Sequence, residues 1–190
     1  MRSKFLIFQM KLRKHIRAAT LAIGCLLAMP LTASAADLPP LSHSLTRQAP
    51  KPAPALKLKD LDGATHDLTQ LRGKVVLINF WATWCPPCRR EMPSMERLSQ
   101  ALKGEAFAVL AVDVGEDADT IQSFTSQLDT APTFPILLDT RSHAMQAWKV
   151  AGLPTTFLVD KQGRIIASAI GGREFDHPEI VQAIRELLGK

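Results

Sequence analysis

Hydrophobic residues along this chain fall alternately into short unbroken runs and longer periodic stretches. Lys74 to Trp81 is apolar apart from Lys74 and Asn79, and predicts a strand buried on both faces. Ala82 to Trp84 read as a turn out of that strand, and Pro86 suits the first position of a helix, where its missing N–H is no loss. The helix is expected to run to about Leu102, with Met92, Met95, Leu98 and Leu102 on one face, a kink at Pro93 and a stop at Gly104. Ala106 to Val114 predicts a second buried strand, Asp117 to about Leu128 a helix, Phe134 to Asp139 a short strand, and His143 to Lys149 a helix. Thr155 to Asp160 and Arg164 to Ile170 predict two strands joined by the hairpin signal Lys161-Gln162-Gly163. Asp176 to Leu188 predicts a final amphipathic helix with Ile180, Ile184, Leu187 and Leu188 facing in. At the front, Leu56 to Lys59 and Thr65 to Asp67 around Asp62-Gly63 predict an added hairpin. This order implies an α/β sheet covered on both faces by helices.

Composition supports a globular domain: of 190 residues, 46% are hydrophobic and 22% charged. The net charge of +5 is unevenly placed. Arg2, Lys4, Lys11, Arg13, Lys14 and Arg17 precede the first acid, which leaves 17 basic against 18 acidic residues elsewhere. A nearly neutral body carries no electrostatic case for a nucleic-acid partner. Arg13, Lys14 and Arg17 are followed by the uncharged run Ala18 to Leu31 and then by Ala33-Ser34-Ala35. Residues 1–36 therefore read as a secretory signal cleaved after Ala35 or one residue later, with Met10 a rival start to Met1. The competing readings are an uncleaved anchor over Ala18 to Ala36, against which Pro30 counts, and a lipid-modified Cys25, against which the continuing apolar run counts. Each places the folded part outside the cytoplasm, in the periplasm or an equivalent space, with tethering to the inner membrane as the variant in which the segment is retained. Residues 37–55, with Pro39, Pro40, Pro50, Pro52 and Pro54, read as an extended linker or arm, and the folded domain is expected over 48–189.

Outside the leader two cysteines remain, in Trp84-Cys85-Pro86-Pro87-Cys88-Arg89. A structural zinc site needs about four ligands, and there is neither a second pair nor histidines at ligand spacing among those at 15, 43, 66, 143 and 177. A purely structural disulfide across so short a loop contributes little stability. A redox pair fits best: two thiols at the start of a helix, close enough to interconvert with a disulfide. Cys85 at the helix N-cap feels the positive end of the macrodipole and is expected to be the exposed nucleophile, with Cys88 the buried resolving thiol. Pro86 and Pro87 offer no N–H to the thiolate, so the pKa of Cys85 is expected to fall only modestly, which favours the disulfide and a reducing couple.

Phe80-Trp81-Ala82 with Trp84-Cys85-Pro86-Pro87-Cys88 resembles the active-site stretch of the thioredoxin superfamily, and Gly152-Leu153-Pro154-Thr155-Thr156-Phe157 resembles its cis-proline loop. The resemblance covers roughly Leu56 to Leu188. The front hairpin and Val112-Asp113-Val114-Gly115-Glu116-Asp117 are similar to the extracytoplasmic reductases of the TlpA and ResA type, a group that includes cytochrome c maturation reductases. The resemblance implies a thioredoxin-like fold, a central mixed β-sheet flanked by helices, with an added N-terminal β-hairpin. It also implies a cis bond at Pro154 and substrate contacts from Trp84, Pro86, Pro87, Leu153 and Thr155. Asn79 departs from thioredoxin, which has a buried Asp there, so acid–base help is expected from Glu116 near Cys88.

The function implied is an extracytoplasmic thiol–disulfide oxidoreductase working as a reductase. Its substrates would be protein disulfides, such as the heme-attachment cysteines of apocytochrome c or a copper-site protein. Its electrons would come from a membrane donor of the DsbD type, and no cofactor or metal is expected beyond the cysteine pair itself. Two rivals stand beside it: a Cu(I) chaperone using the same two sulfurs, for which no third ligand is evident, and a thiol peroxidase, whose donors Pro86 and Pro87 cannot supply.

Overall fold

A computed structural model describes residues 41–189; the predicted signal or anchor over 1–36 lies outside the described residues. The central strand is β4, Val75–Trp81, and all seven of its residues are buried. It pairs in parallel with β5, Phe107–Val114, and antiparallel with β7, Thr155–Val159. β6, Ile136–Asp139, extends the sheet in parallel beyond β5, and β8, Arg164–Ile170, extends it antiparallel beyond β7. The first strand, β1 over Thr46–Pro52, closes the far edge against β8, giving the order β1-β8-β7-β4-β5-β6. A separate two-stranded hairpin, β2 over Lys57–Lys59 and β3 over Thr65–Asp67, stands where the front hairpin is expected.

The helices are α1, Pro86–Ala101; α2, Ala118–Thr125; α3, His143–Ala147; and α4, Pro178–Leu188. Successive side chains of a strand point to opposite faces, so β4 feeds two cores. Val75, Leu77 and Trp81 face the layer of α1, α2 and α4, where Met92, Met95, Leu98, Ile121, Phe124, Ile180 and Ile184 are buried. Val76, Ile78 and Phe80 face the other core, with Leu56, Leu68, Trp148 and Phe157. By the same alternation, polar Asn79 points toward α1 rather than away from it.

The helices α2 and α3 end three and two residues earlier than the sequence predicts. The stretch 37–55, read as a linker or arm, is corrected where it is described: over Thr46–Pro52 it is a strand of the sheet. Proline is tolerated there because β1 is an edge, and its register shifts between Arg47 and Lys51. Among the described residues no helix is long and apolar enough to cross a membrane.

Met95 of α1 is wholly buried in the core between the helices and the sheet. Met95→Ala is expected to lower the unfolding free energy by roughly 2–5 kcal/mol, the range for emptying a buried core position, as read by urea denaturation of the oxidised protein.

Candidate active site

β4 leaves the sheet at Trp81, and residues 82–84 turn the chain into α1. The Cys85 N–H donates to the Ala82 carbonyl (3.2 Å), and the Cys85 carbonyl accepts the first helical bond from Arg89 (3.1 Å). Cys85 is thus the N-cap of α1, with Pro86 and Pro87 filling the first two helical positions. Its sulfur makes no cap hydrogen bond and is joined instead to Cys88, with the two Cα atoms 5.3 Å apart. Cys88 is completely buried, as expected of a resolving thiol. Cys85 is not the exposed residue that the sequence suggests: in the disulfide it is only 3% accessible, because it packs into the same apolar cluster as Cys88. The open surface beside it belongs to Trp84, which is 66% accessible, and to exposed Pro86.

Behind the disulfide lies a carboxyl that the sequence reading passed over. Glu91 stands one helical turn beyond Cys88 and is fully buried. One of its oxygens accepts from Asn79 Nδ2 (2.8 Å) and the other from the backbone N–H of Arg173 (2.9 Å). Asn79 Nδ2 also donates to the hydroxyl of Thr156 (3.0 Å), its cross-strand neighbour on β7. Burial pushes the Glu91 carboxyl up to about 8, and the hydrogen bonds from Arg173 and Asn79 only partly offset that cost. Glu91 is therefore largely protonated at neutral pH and can exchange a proton in the range where thiols titrate. A signal for it existed in the sequence: Glu91, Met95, Leu98 and Leu102 share the helical spacing of a single apolar stripe, which an acid enters only with partners.

Glu116, which the sequence proposes as the acceptor of the Cys88 proton, is engaged elsewhere. Its carboxylate accepts from the Thr83 N–H and the Thr83 hydroxyl, both at 2.6 Å, and so clamps the turn that delivers Cys85. The neighbouring Asp113 is fully buried at the end of β5. Burial, and then its contact with Glu116, push the Asp113 carboxyl up to about 8. The Leu153–Pro154 peptide is cis, as the motif implies. Leu153 is half-buried beside the apolar clusters. Thr155 is buried, its hydroxyl donates to the Gly152 carbonyl (2.7 Å), and its backbone lies between β4 and β8. The side chains among the described residues that are grouped as a metal would need are His43, His177 and Glu179, none of them part of this constellation.

The sequence pattern of the Redoxin family matches residues 48–184. The chain is 44% identical over 113 residues to the thiol-disulfide oxidoreductase ResA of Geobacillus thermodenitrificans, a match covering 60% of this chain and 64% of that one. It is 37% identical over 131 residues to ResA of Halalkalibacterium halodurans, covering 69% and 72%. Among solved structures it is similar to the exposed lipoprotein thioredoxin Etrx1 of Streptococcus pneumoniae, with a TM-score of 0.60 at 29% identity over 70% of this chain and 99% of that one. It is also similar to a thioredoxin-family thiol:disulfide interchange protein of Chlorobium tepidum, with a TM-score of 0.63 at 26% identity over 75% and 99%. The chain spans just under two thirds of the length of the Geobacillus relative.

The raised carboxyls fix a pH dependence. Between the ordinary value of 4.5 and about 8, Glu91 holds a proton in the folded chain that the unfolded chain has released. Stability is then complete below that window and falls as pH rises through it. Asp113 acts in the same direction. Glu91→Gln, which stays neutral and keeps an amide in the site, is expected to flatten the decline in denaturation free energy between about pH 5 and pH 8. Asp113→Asn is expected to remove a second, separate part.

Proposed function

This chain belongs to the Redoxin family, on the ResA-like side of the thioredoxin superfamily, and we propose that it exchanges electrons with protein disulfides through Cys85 and Cys88. The observation that carries this reading is the closed Cys85–Cys88 disulfide at the mouth of α1, with a protonatable carboxyl one turn further along the same helix.

In the reducing direction the Cys85 thiolate attacks one sulfur of a substrate disulfide. A Cys85–substrate bond forms, the substrate bond breaks, and its other sulfur leaves as a thiolate. Cys88 then gives up its proton, which Glu91 in its ionised form can take, and the Cys88 thiolate attacks Cys85 Sγ. The second substrate sulfur leaves, the intramolecular disulfide closes, and two electrons have passed to the substrate. The sulfurs are the redox group, and the sequence of steps calls on no other cofactor. Trp84 and Pro86 offer the exposed rim on which a substrate chain can rest, and Leu153 the adjoining edge of the cis-proline loop.

The reductase direction is supported by the N-terminus of α1. The first helical amides are the natural donors to a thiolate at the N-cap, and two of them are missing at Pro86 and Pro87. A thiolate that is poorly stabilised favours the disulfide and makes the couple reducing. Such a protein working outside the cytoplasm needs a supply of electrons, and a membrane donor of the DsbD type would fill that role. Its targets would be protein disulfides, such as those formed by heme-attachment or copper-site cysteines. The ResA relatives and the exposed lipoprotein thioredoxin support this placement.

Equilibration with a dithiol–disulfide buffer is expected to give a potential below that of the glutathione couple. Cys85→Ser should abolish disulfide reduction, and Cys88→Ser should stop at a trapped mixed disulfide visible by mass spectrometry. Full turnover by either serine variant would overturn the proposal. Replacing Pro86 and Pro87 by Ala restores two N–H donors, so the Cys85 pKa should drop and the potential should rise toward the oxidising side.

A further inference from the structure

The residues that precede β1 return across the molecule to the start of α4. The Ser42 N–H donates to the Gly172 carbonyl (3.2 Å), the Glu174 N–H donates to the Ser42 carbonyl (2.7 Å), and Arg173 Nε donates to the Ser44 carbonyl (2.7 Å). These bonds pin the arm so that His43 lies over His177, with ring centroids 4.1 Å apart and the rings 23° from parallel. His43 Nε2 is also 3.7 Å from a carboxylate oxygen of Glu179. One ligand atom from each of the three residues lies within 4.8 Å of the other two. This corrects the sequence-based expectation that the histidines are scattered: two of them meet because the arm folds back.

We propose that His43, His177 and Glu179 form a site for a divalent transition ion of the zinc class, which staples the N-terminal arm to the start of α4. The donor set is the basis of the assignment. Two imidazoles and one carboxylate suit Zn²⁺ or Cu²⁺, and three protein ligands leave a position for water. Glu179 supplies negative charge, offsetting the unfavourable positive end of the α4 dipole for a cation. Ligand atoms on one zinc ion are separated by about 3.3 Å. Closing the site therefore asks for shifts of about 1 Å or somewhat more, which His43 and Glu179 can make because both are exposed. His177 caps α4 by accepting a long 3.4 Å bond from the Glu179 N–H, so one ring nitrogen is only weakly committed.

The staple borders the redox motif. A Cβ placed on Gly172 would lie 2.6 Å from Leu41 Cδ2 and 3.2 Å from the Pro87 carbonyl oxygen. Gly172 is thus wedged between the arm and the second residue of α1, and the next residue, Arg173, gives its N–H to Glu91. An ion that fixes His43 also holds the arm in place against this segment.

The test uses the untagged full chain carrying Cys25→Ser, with the Cys85–Cys88 disulfide closed, so that no thiol competes for metal. Calorimetric titration with Zn²⁺ alone is expected to show one tight equivalent. His43→Ala and Glu179→Gln should each weaken it by about tenfold or more, while His143→Ala, at an exposed position outside the cluster, should leave it unchanged. Hydrogen exchange should show the amides of residues 42–45 slowed by Zn²⁺ in the parent chain and not in His43→Ala. With Cu²⁺ as a probe, the electron paramagnetic resonance spectrum should carry hyperfine coupling from two imidazole nitrogens. Absence of a tight equivalent, an equivalent that survives His43→Ala unchanged, or no metal-dependent protection of the arm would each overturn the proposal.

Discussion

The molecule depends on one buried strand being held from both sides. β4 has a partner along each edge and an apolar core on each face, so its end point at Trp81 is fixed in space. Everything the chemistry needs is referred to that point. The turn after it is clamped by Glu116 through both polar groups of Thr83, and Cys85 then opens a helix whose inner face is locked to the sheet by Met92, Met95 and Leu98. A thiol held this way needs little rearrangement to find its partner sulfur, which is the kind of preorganisation that removes an entropic cost from reaction.

The same packing creates an electrostatic tension. Asn79 faces α1 because strand side chains alternate, and Glu91 faces the sheet because it sits on the helix's apolar stripe. Their meeting satisfies the carboxyl with two donors but leaves Asn79 Oδ1 buried without a partner. Nearby on the same face, Trp81 Nε1 and Asp113 Oδ2 are also buried and unpartnered. Buried polar atoms of this kind are destabilising, and among the described residues three of the four, all but Gln48 Nε2 on β1, lie on the side of the sheet that faces the cysteine helix. A core built for stability alone would have apolar groups there. The arrangement fits a site in which protons have to be held and released without access to bulk water.

Much of this was readable from the residues. The buried strands, the long helix, the β7–β8 hairpin and the cysteine pair all announce themselves, since continuous apolar runs and a Cys-x-x-Cys pair at a helix start have few other physical explanations. What escaped depends on contacts between distant parts of the chain. Proline-rich residues 46–52 read as a linker, and only the neighbouring β8 makes them a strand. Glu91 lies on an apolar helical stripe, but the stripe does not name its partners, Asn79 and the Arg173 amide, which come from distant parts of the chain. Glu116 reads in the sequence as a partner for a thiol, and the fold brings Thr83 of the active-site turn to it across 33 residues. His43 and His177 lie 134 positions apart in the chain, and no local spacing reveals that they stack.

The edges of the sheet have a consequence for how other chains can approach. On one margin β1 carries Pro50, Pro52 and a break in register, and on the other the four-residue β6 is met by a bridge from Asp60 to Leu137. Neither rim offers a long ladder of free backbone groups to a passing polypeptide. Self-templated polymerisation through either rim is thereby discouraged, and the sheet stays closed to strand addition along both of its long margins.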